Sequence, residues 1–466
     1  MNPVYDYLIV GSGAGGGVTA YVLAAAGAKV LLLEAGKRFS GNTYPKDEMR
    51  AGAQLMWGGG TDMTTDAATV LLRGKVLGGG TVVNQALLDR FDNLAWADFK
   101  ADSGVSFFDN AAMADHYDAV ETHLALHTFH DRSRWNRNAA LYVAGFEKAG
   151  YQWQPLRRGQ GDCGHGNDCM MCLGGCPRDA KQSMAVTFIK EAEAHGLTVR
   201  TGFQAAQVVT GADFVTVFGH ENGVPQSHYA RHCILAAGAL GSTELMLKSQ
   251  WQRRLPALGQ HFYCHPQWMS TAFMDEPVDA HKGAFQAVKS ADPRFRQNRF
   301  KLENVFAGPV AMALLNHRQM GAAHQHYMRR YRHMMCIEVA LRDQTPGQIS
   351  LNRQGRLAVT KSLRQADLDN ATKGRGVVAE IFAAVGAKET MASDIRVGLH
   401  LMGGARMGQQ AATSVVNEGF QVHGMPRVYV ADGSLFPNAP GINPSLSIMA
   451  LAHRAAHSIL AQTAGA

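Results

Sequence analysis

Six residues near the amino terminus, Gly11-Ser12-Gly13-Ala14-Gly15-Gly16, have the composition and spacing to hold a pyrophosphate. Gly11 permits a tight turn, Gly13 lets backbone approach the phosphates, and Gly16 brings a helix close to a strand. The helix N-terminus at Ala14 and Gly15 then offers free N–H groups and the positive end of its dipole to the phosphates. Glu34 lies 21 residues beyond Gly13, where a strand-end acid can accept the hydroxyls of an adenosine ribose. Sulfur supplies a second set of candidates. Cys163, Cys169, Cys172 and Cys176 follow one another at spacings of x5, x2 and x3, which puts several thiolates within reach of one metal centre. The same four also fit plain thiols or a disulfide, and no metal ligand set is assigned to them.

These residues need elements to place them. The run Asp-Tyr-Leu-Ile-Val before the glycines reads as a strand, the alanine-rich stretch after them as a helix, and Lys29 to Leu33 as a second strand ending on Glu34. That succession predicts a Rossmann-type dinucleotide-binding domain in an α/β chain. Short β-rich runs at 197–200, 214–218 and 232–236 predict a small meander returning to the same domain. Residues 256–395 show weak periodicity and many Gln, Arg, His and Met. The expected partition is a nucleotide-binding domain from 1–90, 177–255 and 396–466. An inserted α+β substrate-binding domain with covering loops would come from 91–176 and 256–395.

Composition bounds the rest. The chain has 466 residues, 46% hydrophobic and 18% charged, with 50 glycines, which is the balance of a globular enzyme. Its net charge of +7 is scattered, and the one basic run, Arg329-Arg330-Tyr331-Arg332-His333, reads as a solvated face. No nucleic-acid partner is expected. No apolar run is long enough to span a membrane. The first strand begins almost at once, which leaves no room for a secretory signal and points to the cytoplasm. Export on the signal of a partner subunit is the alternative.

Four further stretches carry a resemblance. Gly74-Lys75-Val76-Leu77-Gly78-Gly79-Gly80-Thr81-Val82-Val83-Asn84 resembles the first signature of the glucose-methanol-choline (GMC) oxidoreductases at every position, and Leu88 departs from it just downstream. Ala236 to Leu247 is similar to the first half of the second signature, with Gln250 where its serine would fall. Gly259 and His265-Pro266 resemble the segment leading into the substrate domain. Near the carboxyl end, His400-Leu401-Met402-Gly403, Val428 to Pro437 and Gly441-Ile442-Asn443-Pro444-Ser445 resemble the catalytic histidine segment, the turn over the flavin and the segment of the second catalytic residue.

The resemblance implies FAD, an alcohol, sugar or sterol-like substrate, and oxidation of a CH–OH group by proton removal and hydride transfer to flavin N5. It implies that Gly78, Gly79, Thr81, Asn84, Ala237, Gly238, Asp432, Gly433, Asn443 and Pro444 line the cofactor, together with the first glycine loop and Glu34. His400 is the implied base, suited to neutrality by an ordinary pKa near 6.5, and Asn443 its partner at the reacting oxygen. Pro444 would start a helix from Ser445 to Leu460 aimed at the flavin. The cysteine segment is similar to one in long-chain alcohol oxidases. In some dehydrogenases of the group, cysteines near this place hold an iron-sulfur cluster that passes electrons to a partner. Zinc, a catalytic subunit of that kind, and non-oxidative lyase or decarboxylase chemistry are the alternatives. The acceptor stays open between oxygen, a quinone and a protein partner. Met312, Leu314, Leu315, Met320, Met328, Met334 and Met335 offer a lining for an apolar alcohol, or else ordinary core.

Overall fold

Apolar runs covered on both faces read as continuous rather than alternating strands, and the two flanking the glycine loop behave so. A computed structural model of the protein describes residues 5–161, 172–283, 286–316 and 319–464. In it Tyr5–Val10 and Val30–Glu34 are adjacent parallel strands joined by the helix Ala14–Ala25. They belong to a seven-stranded sheet in the order Thr198–Thr201, Val30–Glu34, Tyr5–Val10, Val224–Leu235, Val215–Glu221 and Phe203–Thr210. Val428–Val430 pairs alongside Val224–Leu235. The last three strands of that order are the expected meander, antiparallel throughout. The run at 197–200 is not part of it: Thr198–Thr201 lies parallel to Val30–Glu34, and Phe203–Thr210 takes its place.

A second sheet of nine strands runs Asp62–Met63, Thr69–Leu71, Arg396–Met402, Tyr263–Phe273, Met334–Leu341, Phe300–Asn304, Val288–Ser290 and Trp153–Pro155. Glu389–Ala392 pairs with Tyr263–Phe273. Arg396–Met402 therefore hydrogen-bonds to Tyr263–Phe273 on one side and to Thr69–Leu71 on the other. The register with Tyr263–Phe273 shifts between Tyr263 and His265, a bulge of the kind that re-aims a side chain. On the other strand, His400 sits at φ +57°, an uncommon left-handed conformation for a residue with a Cβ.

Burial separates core from site. Met312, Met334 and Met335 are fully buried in the hydrophobic core of the second sheet, so these methionines are packing. Met320 and Leu314 are exposed, while Leu315 and Met328 are half-buried against the core. Polar residues occupy the strands instead. Lys301 and Glu303 pair at 2.5 Å, and Glu303 lies directly across from buried Glu338. Burial, and then the Glu303 carboxylate, push the Glu338 carboxyl well above its ordinary value. The basic run is only partly solvated: Arg329 and Arg332 are exposed, whereas Arg330, Tyr331 and His333 are half-buried and Tyr331 packs against the core; Arg330 pairs with Glu389 and Arg332 with Asp279. Among the described residues no helix is long and apolar enough to cross a membrane.

Candidate active site

Four loops meet at the amino end of the helix Ala14–Ala25, and their glycines are what lets them meet. A Cβ on Gly11 (φ +99°) would lie 2.5 Å from the Ala236 carbonyl, one on Gly15 1.7 Å from that of Ala431, and one on Gly16 1.9 Å from that of Gly11. Gly79 approaches Gly13 so closely that a Cβ there would sit 2.9 Å from the Gly13 Cα. A Cβ on Gly13 itself meets nothing within 4 Å. The cleft beside Gly13 is therefore open where the others are filled by backbone, and the helix's first N–H groups border it. These residues fit a pyrophosphate.

Glu34 closes the strand as expected, but its carboxylate braces the loop first. One oxygen accepts the Ser12 N–H at 3.2 Å and the Ser12 hydroxyl at 2.6 Å, and the other accepts the Gly36 N–H at 2.7 Å. The Ser12 Oγ also accepts the Gly78 N–H at 2.9 Å, tying the second glycine loop to the first. Thr81 and Asn84 spend much of their hydrogen bonding inside that loop: Thr81 donates to the Gly78 carbonyl, and Asn84 Oδ1 accepts the Ala86 N–H. Asp432 is a further brace. Its carboxylate accepts from Gly238 N–H, the Ser242 hydroxyl and Ser434 N–H, and Ala237 N–H donates to Ser242. Ala237, Gly238 and Asp432 thus shape the cradle through contacts with one another, and Gly433 joins them to the next strand by accepting the Gly403 N–H.

His400 and Asn443 come together from distant parts of the chain. His400 stands at the bulge in Arg396–Met402, and Asn443 precedes Pro444, the cap residue of the helix Ser445–Thr463. Asn443 Nδ2 lies 3.4 Å from His400 Nε2. His400 Nδ1 is 2.8 Å from Nδ1 of His265, whose Nε2 accepts the Gly441 N–H at 2.9 Å. Lys301 donates to Asn443 Oδ1 as well as to Glu303. Burial, with the Lys301 ammonium adding to it, pushes the His400 imidazole down from 6.5 to about 3. Burial and then His400 hold His265 well below its ordinary value. His265 and Lys301 thus stand directly behind the pair, although the sequence reading held His265 only as a reserve candidate for the base, with His423, and gave Lys301 no role. The His-Pro segment marked the first, and nothing marked the second.

Of the four cysteines, Cys163 and Cys169 lie outside the described residues. Cys172 is buried, with Arg158 and Gln160 each donating to its sulfur at 3.6 Å. Lys181, also buried, donates to the carbonyls of Cys172, Val82 and Asn84 and so ties this segment to the second glycine loop. Burial pushes the Cys172 thiol up, but Arg158 and Lys181 more than offset it, so the net shift is downward. The ultraviolet thiolate absorbance lost in Cys172→Ser should therefore titrate below the ordinary thiol value of 9.0. A thiol titrating at or above that value would remove Cys172 as counter-charge to the two cations.

Comparison with known proteins follows the same geography. The family model described as GMC oxidoreductase matches residues 52–267 and, in its C-terminal part, 343–452. One described as an NAD(P)-binding Rossmann-like domain matches residues 9–67. An uncharacterised GMC-type oxidoreductase of Sinorhizobium fredii is 26% identical over 98% of this chain and 95% of its own length. Long-chain-alcohol oxidase FAO4B of Arabidopsis thaliana is also 26% identical, over 96% of this chain, which spans 66% of that longer protein. Among solved structures, formate oxidase of Aspergillus oryzae superposes with a TM-score of 0.74 at 15% identity, covering 99% of this chain and 98% of that one.

Proposed function

The chain belongs to the GMC oxidoreductase family, and on that footing we propose that this FAD-dependent oxidoreductase of CH–OH donors works with His400 and Asn443 at the reacting oxygen. The observation that carries the reading is their 3.4 Å approach, from a strand bulge and a helix start, beside the loops that cradle the cofactor. Gly11, Gly13, Ala14, Gly15, Gly16 and Glu34 would hold the adenosine and pyrophosphate. Gly78, Gly79, Thr81, Asn84, Ala237, Gly238, Asp432, Gly433 and Pro444 would surround the flavin. Bound FAD supplies the hydride acceptor. The two side chains fix the hydroxyl so that its carbon presents the departing hydrogen. We keep the partition into a nucleotide-binding part (1–90, 177–255, 396–466) and a substrate part (91–176, 256–395), with the strand Arg396–Met402 as the seam between them.

Anaerobic bleaching of the flavin by alcohols tests the reading. The panel runs from long-chain alcohols, for which the plant relative is named, to secondary alcohols and sugars, with an artificial acceptor for turnover. Asn443→Ala should slow bleaching about 10- to 10³-fold at unchanged FAD content, because one hydrogen bond to the reacting oxygen is lost. A flavin that no member of the panel bleaches would end the oxidative reading.

A further inference from the structure

The second sheet has an apolar face and a polar one, and the polar face is turned to the site. Trp268, Val339 and Leu302 stand opposite one another on three neighbouring strands and are buried in the core, where Val339 lies against Gly374 of the helix Gln365–Ala384. Successive side chains of a strand leave opposite faces, so the residues between these point the other way. His265 and Gln267 share that other face, since the pairing with Arg396–Met402 runs unbroken from His265 through Pro266 to Gln267. Ala340 stands across from Gln267 and Lys301 across from Ala340, and the Lys301 ammonium reaches Asn443. One row further along come Met269, Glu338 and Glu303, again opposite one another. The wall leading away from His400 and Asn443 is therefore built largely of amide, ammonium and carboxyl groups. A hydrocarbon chain lying on it would strip those groups of water and return no hydrogen bond.

Gln267 is the unused member of this wall. Lys301 donates to Asn443 and Glu303, and Glu303 accepts a further N–H from Gln286 at 3.3 Å. Gln267 is 1% exposed, yet its amide oxygen has no hydrogen-bond partner among the described residues. Buried polar atoms are nearly always paired, and one that is not calls for an explanation. Beside it the side chain of Ala340 is a single methyl, which leaves a recess between Gln267 and Lys301. Met269, the next residue on the same face of the strand, is only half-buried. The charges on the wall balance: Lys301 meets Glu303 at 2.5 Å and Lys289 meets Asp89 at 2.5 Å. Glu338 is pushed towards its neutral form by burial and then by Glu303. Such a surface suits a neutral ligand with hydroxyl groups, which donate and accept at once.

We infer that Gln267 reads a second hydroxyl of the substrate, accepting its O–H at the amide oxygen, and that the alcohol oxidised here is a neutral polyol and not an alkanol. This rests on the proposed oxidation of a CH–OH donor beside His400 and Asn443, and it adds a specificity-determining residue outside that pair. Alternate residues of a strand stand about 7 Å apart, so the hydroxyl held by Gln267 lies roughly the reach of a six-carbon chain from the end being oxidised. A polyol satisfies the orphaned oxygen. An alkanol of the same length buries it again without a donor, and sites built to bond a substrate hydroxyl discriminate strongly on that ground.

Hexane-1,2,6-triol and 1-hexanol have the same carbon chain and differ in hydroxyls, so their kcat/KM ratio with the holoenzyme and an artificial acceptor tests the inference. In the wild type the triol should be favoured about 10²-fold, and a preference for 1-hexanol overturns the polyol assignment. Gln267→Leu is close in size and has no polar atom. It should bring the ratio down about 10²-fold through loss on the triol, whereas Gln267→Glu keeps an acceptor oxygen and should recover the ratio to within about tenfold of wild type. An unchanged ratio in Gln267→Leu, whether both rates fall or neither does, overturns the role of Gln267. A second readout needs no turnover: Gln267→Leu should melt no lower than wild type, because no protein group uses the amide oxygen. A clear fall in Tm would mean that the amide is already spent on the fold, and would overturn the inference as well. Failure of the underlying reading looks different, since neither alcohol would then bleach the flavin of any variant.

Discussion

Replacing His400 with alanine will slow flavin reduction by about 10²- to 10⁴-fold, some 3 to 5 kcal/mol of barrier, and leave FAD in place. The size follows from what the side chain does. On the proposed reading it meets the reacting oxygen through Nε2, which lies 3.4 Å from Asn443 Nδ2, while its Nδ1 lies 2.8 Å from Nδ1 of His265. FAD stays because the cradle is built from the glycine loops and their Glu34 and Asp432 braces, none of which His400 supports directly. With an alcohol deuterated at the oxidised carbon, stopped-flow reduction should show a primary isotope effect once hydride transfer is exposed. A His400→Ala enzyme that reduces its flavin at the wild-type rate under saturating substrate would place the chemistry elsewhere.

Gly13→Val will give a folded protein without flavin. The position has an ordinary φ of −69° and open space where a Cβ would go, so a side chain enters there without backbone strain. The side chain fills the cleft into which the pyrophosphate must come. Gly16→Ala makes the contrast, since its Cβ would press to 1.9 Å from the Gly11 carbonyl and distort the loop itself. Flavin absorbance against circular dichroism separates the outcomes: loss of yellow with retained secondary structure for Gly13→Val, and loss of both for Gly16→Ala. Full flavin occupancy in Gly13→Val would withdraw the pyrophosphate from this loop.

What the sequence made legible was the chemistry of contiguous residues. Gly11 makes the tight turn and Gly16 the close helix–strand approach that their spacing implied, because a strand-turn-helix is settled within a few residues. His400 and Asn443 were also readable, each inside its own short segment. The contacts behind them were not. His265 and His400 meet across two neighbouring strands whose register is offset by a bulge, and a bulge leaves no periodic trace. Lys301 was hidden by a rule that usually holds. In Phe-Lys-Leu-Glu-Asn the apolar and polar residues alternate, and alternation normally sends the charged side to water. Here that side is turned inward, towards Asn443 and Glu338. The methionines left two readings open, a pocket lining or ordinary core, and packing took three of them for the core.

The paired imidazoles also decide how the molecule meets acid. A histidine in the unfolded chain takes up a proton near pH 6.5, whereas His400 resists it until about 3 and His265 is likewise depressed. Between those values the unfolded state binds more protons than the native one, so stability rises with pH and is lost as pH falls. His116, His232 and His453, each pushed down to about 4 mainly by burial, contribute in the same direction. The native chain should thus lose stability progressively below pH 6.5. Protonation of His265 or His400 breaks a contact within the active site itself, so the feature that sets up the chemistry is also where acid enters the fold.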